Sequence, residues 1–217
     1  LYLMETDTAE ILKILGNVRG AGVWTNRAQQ RRQTVNRLMW DEKDGLYYDY
    51  SFTEKKVRKY PFLTTFYPLW VGIADKQQAA RVVANLHLFE RPGGLLTSTQ
   101  VTGSQWDAPF GWAPTEMIAI EGLRRYGYNR EADRITANFL SLILKEFIQH
   151  NTIVEKYDVE RRESEVSAGL KFGYKSNEIG FGWTNAAFLQ LYALLPEKER
   201  QNVLELDGLP VPQRKAH

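Results

Sequence analysis

Along most of the chain apolar residues recur three and four positions apart, the period of a helix with one face turned to a core. In TAEILKIL, Ile11, Leu12 and Leu15 share such a face; Asp7 or Thr8 is placed to cap the helix and Gly16 to end it. A second helix is predicted from Gly22 to about Met39, with Val23, Trp24, Ala28, Val35 and Leu38 inward. After YPLWVGIA, Asp75 caps a third that carries Ala80, Val83, Ala84 and Leu86. Thr115 opens TEMIAIEGLRRYG, in which Met117 to Ile120 and Leu123 are apolar and Gly127 is the stop. Asn129 caps a long helix running to about Gln149, and Thr184 to Leu194 is the last in the series.

Between these helices lie five segments rich in aromatic residues and glycine: WDEKDGLYYDY, RPGGLLTSTQ, QWDAPFGWAP, VEKYDV and IGFGWTN. They read as loops rather than strand arrays. About three and a half helical hairpins that gather such loops at one end describe an all-α toroid of paired helices with a pocket at its mouth.

Composition narrows the function. The 217 residues are 43% hydrophobic and 25% charged, the balance of a globular chain with one sizeable core. A net charge of +2, from 28 basic and 26 acidic residues spread along the sequence, gives no footprint for nucleic acid, and QQRRQ at Gln29 to Gln33 reads as a solvated helix face. With no cysteine there is neither a disulfide framework nor a thiolate zinc site. His87, His150 and His217 have no metal-ligand spacing, and the glycines of GFGW and PGGLL lack the context of a phosphate loop, so no metal or cofactor is expected. Apolar runs such as FLSLILKEFI from Phe139 are too short for a membrane span. The chain shows no signal peptide and opens on Leu1, as a piece of something longer would, and residues 206–217 read as a flexible tail.

The aromatic loops carry the candidate chemistry. Six tryptophans and eleven tyrosines, many beside Asp, Glu, Gln or Asn, offer what a polyhydroxylated ring needs: flat faces for its C–H groups and polar atoms for its hydroxyls. Trp106, Trp112 and Trp183 either plug the ends of the helical ring or hold a ligand. Glu155 in VEKYDV, with Tyr157 on the same side if the segment is extended, can orient a water and take its proton; alternatively it forms a surface ion pair with Lys156 or a nearby helix. Asp107 and Asp49 are other carboxylates, and Asp107 can equally cap its own turn.

QWDAPFGWAP, from Gln105 to Pro114, resembles a signature of the trehalases of glycoside hydrolase family 37, Gln-Trp-Asp-x-Pro-x-Gly-Trp-x-Pro, at every fixed position. VEKYDV and GFGWTN resemble the C-terminal blocks of that family in the same order, and the likeness runs from METDTAEIL to the helix after Trp183. The resemblance implies an (α/α)6 toroid, of which residues 1–217 are the C-terminal part of a single catalytic domain. It implies hydrolysis of α,α-trehalose to two glucoses with inversion, Glu155 as the general base, and Gln105, Trp106, Asp107, Trp112, Tyr157, Phe181 and Trp183 as substrate-binding residues. The family's general acid is an aspartate in a Gly-Trp-Asp block that has no counterpart here, so it is expected on a missing N-terminal segment of the same protein, the chain's one partner besides the disaccharide. The family's glycine run ending in Gly-Glu-Tyr is replaced by ERRESEVSAGLKFGYKSNEI, with Gly173 and Tyr174 but no Glu between them, which leaves Glu163, Glu165 or Glu178 as substitutes. Periplasmic and cytoplasmic locations both fit the resemblance, the periplasm slightly better. The competing expectations are a six-hairpin glycosidase for another α-glucoside and a non-catalytic carbohydrate-binding remnant.

Overall fold

A computed structural model describes residues 1–166, 170–173 and 176–205; the expected tail from residue 206 and Tyr174 lie outside the described residues. Among the described residues eight α-helices carry the fold: α1 (Tyr2–Ile14), α2 (Val18–Leu38), α3 (Tyr67–Val71), α4 (Lys76–Ala84), α5 (Ala113–Arg125), α6 (Asn129–His150), α7 (Gly182–Leu194) and α8 (Glu197–Glu205). The aromatic segments are not bare loops. Among the described residues, four of them contribute strands to four antiparallel two-stranded ribbons: β1 (Trp40–Asp41) with β2 (Leu46–Tyr47), β3 (Asp49–Ser51) with β4 (Lys56–Arg58), β5 (Glu90–Arg91) with β6 (Gly94–Leu95), and β7 (Phe110–Trp112) with β8 (Lys156–Asp158). Extended aromatic segments pair because each leaves backbone N–H and C=O groups that a neighbour can satisfy.

The ends of the helices show which local signals count. α1 starts at Tyr2, so Asp7 and Thr8 lie inside it, and the Thr8 hydroxyl donates back to the Met4 carbonyl at 2.6 Å. α2 starts at Val18, four residues before the expected Gly22, and is capped by Asn17, whose Oδ1 accepts from the Gly20 amide at 2.9 Å. At α4 the expected cap holds: Asp75 accepts from the Gln78 amide at 2.8 Å and Gln78 accepts from the Asp75 amide at 2.9 Å, a reciprocal capping box. The face that α4 buries is Ala79 and Val82, one position away from Ala80, Val83 and Ala84. α8 has no counterpart among the predicted helices, because EKERQN shows polarity without period, yet Val203 is buried on it.

One core runs through the middle of the chain. Phe66, Val82, Phe89, Ile120, Leu123 and Phe139 are all fully buried in it. α3 and α5 approach so closely that a Cβ on Gly122 would stand 3.0 Å from the Trp70 amide nitrogen and 3.1 Å from the Phe66 carbonyl oxygen. A larger residue there would force two backbones apart. The predicted inward set of α1 fares differently: Ile11 is 56% exposed and Leu15 is 73% exposed, and on α2 Val23 is 50% exposed.

Candidate active site

The site is built where β7 runs into α5. Trp112 is extended (φ −126°, ψ 129°) and is both the last residue of β7 and the N-cap of α5. Pro114 suits the first turn because it has no amide to satisfy, and the Thr115 hydroxyl donates to the Trp112 carbonyl at 2.8 Å. β7 pairs with β8 in the register Phe110↔Asp158, Gly111↔Tyr157, Trp112↔Lys156. The tryptophan segment and VEKYDV, far apart in sequence, are thus two sides of one ribbon. Glycine at 111 permits it: a Cβ there would lie 2.5 Å from Val159 Cγ1 and 2.8 Å from the Leu95 carbonyl oxygen. The third block joins through a bridge between Val154 and Ile179, the Gly180 amide on the Ile153 carbonyl at 2.9 Å, and the Thr184 hydroxyl on the Glu155 carbonyl at 3.4 Å.

The aromatic rings form one continuous group. Trp106 and Trp112 stack with centroids 3.9 Å apart and planes 9° from parallel. Trp183 meets Trp112 edge-on at 5.7 Å, and Phe181 leans on Trp183 at 4.6 Å. Both roles left open for the tryptophans occur, on different residues. Trp112 is only 1% exposed and donates Nε1–H to the Gln105 carbonyl at 2.8 Å, so it is a buried backing plate, with Phe110, Val166 and Leu170 packed in the same cluster. Trp106 and Phe181 are half-buried and Trp183 is 37% exposed, which leaves ring surface at the rim.

Beneath the rings lies an ion pair. Glu155 is 2% exposed and Lys156 is fully buried, with the ammonium 3.0 Å from Glu155 Oε2. The pair read from the sequence as a surface bridge is made, but inside the protein. Lys156 Nζ also donates to the Ser176 carbonyl at 3.1 Å and stands 5.2 Å from the centre of the Trp112 ring. Asn177 grips the same residue by its backbone, accepting from the Lys156 amide at 3.2 Å and donating to the Lys156 carbonyl at 2.8 Å and the Ser164 carbonyl at 2.7 Å. The sequence named Lys156 only as a surface partner of Glu155 and did not single out Asn177, which acts through contacts between segments.

Other expected residues lie elsewhere. Glu155 precedes β8, so the alternation of the strand does not extend through it, and Tyr157 sits fully buried with its ring edge-on to Phe139 and its hydroxyl accepting from the Val154 amide at 3.2 Å. Burial pushes its phenol up to about 12. Asp107 is 3% exposed and already satisfied: Oδ1 accepts from the Ser98 hydroxyl at 2.6 Å and from the Tyr60 hydroxyl, and Oδ2 accepts from the Thr102 hydroxyl. Burial alone would raise the proton affinity of Asp107. The hydroxyls of Ser98, Thr102 and Tyr60 outweigh burial and hold its carboxyl below the usual range, which suits a tie for the tryptophan segment and makes a poor acid. Asp49 is exposed in β3, opposite Arg58. Gln105 Oε1 is buried and accepts no hydrogen bond among the described residues, while Gly173, at φ +97°, closes over it so tightly that a Cβ would come within 2.8 Å of Gln105 Cδ. Glu163 pairs with Asp158 through its backbone, Glu178 accepts from the Ser176 hydroxyl at 2.6 Å, and Glu165 is exposed. Among the described residues no group of three His, Cys, Asp or Glu side chains is placed to hold a metal ion, and no helix is long and apolar enough to cross a membrane.

Set beside known proteins, residues 1–195 match the family model described as Trehalase. The chain belongs to the trehalase family. It is 39% identical over 192 residues to the cytosolic neutral trehalase of Beauveria bassiana, covering 80% of this chain and 26% of that protein. It is 36% identical over 202 residues to the periplasmic trehalase of Citrobacter koseri, covering 92% of this chain and 35% of that one. The chain therefore spans between about a quarter and a third of these trehalases. The structure of neutral trehalase Nth1 from Saccharomyces cerevisiae superposes with a TM-score of 0.78 at 31% identity, over 94% of this chain and 38% of that one. A GH63 mannosylglycerate hydrolase from Thermus thermophilus superposes at 0.64 with 21% identity, over 88% of this chain and 44% of that one, a likeness of fold alone. The hairpins of this family member are part of an (α/α)6 toroid of the six-hairpin glycosidase type.

Proposed function

We propose that the chain supplies the base and the ring-binding platform of an enzyme that hydrolyses α,α-trehalose to two glucoses with inversion. The observation that carries this is the convergence of three separated blocks: Glu155, the stacked Trp106 and Trp112, and Trp183 with Phe181 meet at the ribbon β7–β8. In the proposed reaction Glu155 takes a proton from a water that attacks the anomeric carbon, while a glucose ring lies on the half-buried Trp106. An inverting glycosidase also needs an acid on the opposite side, with the two carboxyls roughly 6.5–9.5 Å apart to admit that water. Asp107, bound by three hydroxyls, is unsuited to that part, so the acid is proposed to come from a segment outside these residues. The family includes cytosolic and periplasmic members, and either compartment suits the proposal.

The test is glucose release from trehalose by this chain alone and by the chain joined to the preceding segment of the Citrobacter koseri protein. The joined protein should be active and the chain alone inactive. Glu155→Gln in the joined protein should lower kcat by roughly 10²–10⁴-fold with little change in KM. Full turnover by Glu155→Gln would remove Glu155 from the mechanism, and release by the chain alone would put the acid within it. Binding of glucose without any turnover in either protein would favour a carbohydrate-binding remnant.

A further inference from the structure

Lys156 is a costly residue to keep where it is. A fully buried ammonium loses its hydration, and pairing with a buried carboxylate does not by itself recover what a well-packed apolar residue would contribute. Its partners among the described residues point to what it does. Nζ is 3.0 Å from Glu155 Oε2, 3.1 Å from the Ser176 carbonyl oxygen, and 5.2 Å from the centre of the Trp112 ring, over which it lies. The backbone of the same residue is paired with Trp112 across the ribbon and held on both polar groups by Asn177. One cation therefore bonds the carboxylate and lies over the indole that backs the ring-stacking surface, from a main chain held at both its amide and its carbonyl.

We propose that Lys156 is a positioning residue, which fixes the direction of the Glu155 carboxylate relative to the tryptophan pair and so sets the spacing between the proton acceptor and the stacked ring. The proposal rests on Glu155 as the base. The ammonium is a spacer between two functional groups: it holds one carboxylate oxygen in place by a charged hydrogen bond and lies over the ring of Trp112, which stacks on Trp106. A base displaced by about an ångström loses on the order of 10²-fold in rate without any loss of substrate affinity, and that split separates the role from simple stabilisation.

The experiment compares four proteins in the active joined form: the parent, Lys156→Met, Glu155→Gln and the double variant. Lys156→Met keeps the length of the side chain and removes its charge, and it should lower kcat about 10- to 100-fold with KM within about threefold. In the Glu155→Gln background the same change should have almost no further effect on kcat, because Lys156 acts through that carboxylate. Lys156→Arg, which keeps a cation and guards against a variant that does not fold, should retain more kcat than Lys156→Met. The proposal is overturned if Lys156→Met leaves kcat within twofold of the parent, if it lowers kcat equally in both backgrounds, or if Lys156→Arg and Lys156→Met lose the same amount. Full activity of Glu155→Gln is a separate result: it sinks the base assignment, whatever Lys156 does.

Discussion

Two helical hairpins of nearly equal size stand in this chain and are buried to very different degrees. α1 and α5 are each 13 residues long, and α2 and α6 have 21 and 22. Yet α1 buries two residues where α5 buries seven, and α2 buries two where α6 buries ten. Leu1, Met4, Ile14 and Val18 all face outward from the first hairpin, each more than 60% exposed. An apolar stripe at helical spacing thus fixes which side of a helix is sticky, and only the rest of the fold decides whether that side is covered. The two hairpins also hold their buried acids by opposite means. Glu5 of α1 takes a two-pronged bond from Arg31 of α2, at 2.8 Å from Nε and 2.7 Å from Nη2. Glu116 of α5 pairs with no cation among the described residues: Oε1 accepts from the Leu95 amide, and Oε2 is buried without a partner there.

The contrast is open to direct attack. Leu123→Ala in α5 should cost about 2–5 kcal/mol in a denaturant melt, since it leaves a cavity in a filled core. A cost below about 1 kcal/mol would mean the two hairpins are packed alike. Trp106→Ala, in the segment that feeds α5, should weaken glucose or trehalose binding by about 1–3 kcal/mol in titration calorimetry, and unchanged affinity in a folded variant would make Trp106 purely structural.

Smaller and more telling is the pair Glu5→Gln and Glu116→Gln. The Arg31 hydrogen bonds hold Glu5 below its ordinary value of 4.5, so its contribution is present above that pH and is lost as pH falls through the folded value. Burial, only partly offset by the Leu95 amide, holds Glu116 well above 4.5. The unfolded chain gives up that proton first, so the fold loses stability as pH rises past 4.5 towards the folded value. Thermal melts at pH 7 should therefore show Glu5→Gln destabilised and Glu116→Gln stabilised, with both differences shrinking near pH 4; changes of the same sign would show that the two acids are held alike. Least of all, Ile14→Ser on the exposed face of α1 should stay within about 0.5 kcal/mol of the parent.

Helix spacing, the Asp75 cap and the trehalase signature were legible in the sequence because each depends on residues a few positions apart. The start of α1, the buried register of α4 and the existence of α8 were not, since packing across the fold decides them. At the site, Glu155 and the tryptophans could be named, but not the burial of the ion pair, the retreat of Tyr157 to the core or the hydroxyl cage around Asp107, which joins Tyr60, Ser98 and Thr102 from three places in the chain. A pair such as Glu155 and Lys156 looks the same in one dimension whether it ends in water or under an indole.

The register of the β7–β8 ribbon bears on how the molecule comes into being. It ties residues 110–112 to residues 156–158, and the chain between them is the hairpin of α5 and α6. A disordered loop of that length would have to be closed against its own entropy, whereas two helices that form locally and fold back on each other bring the strand ends together first. Glu155 and its platform should accordingly acquire protection from hydrogen exchange during refolding only after the amides of α5 and α6 have done so. Slowing that hairpin should delay the site by the same factor.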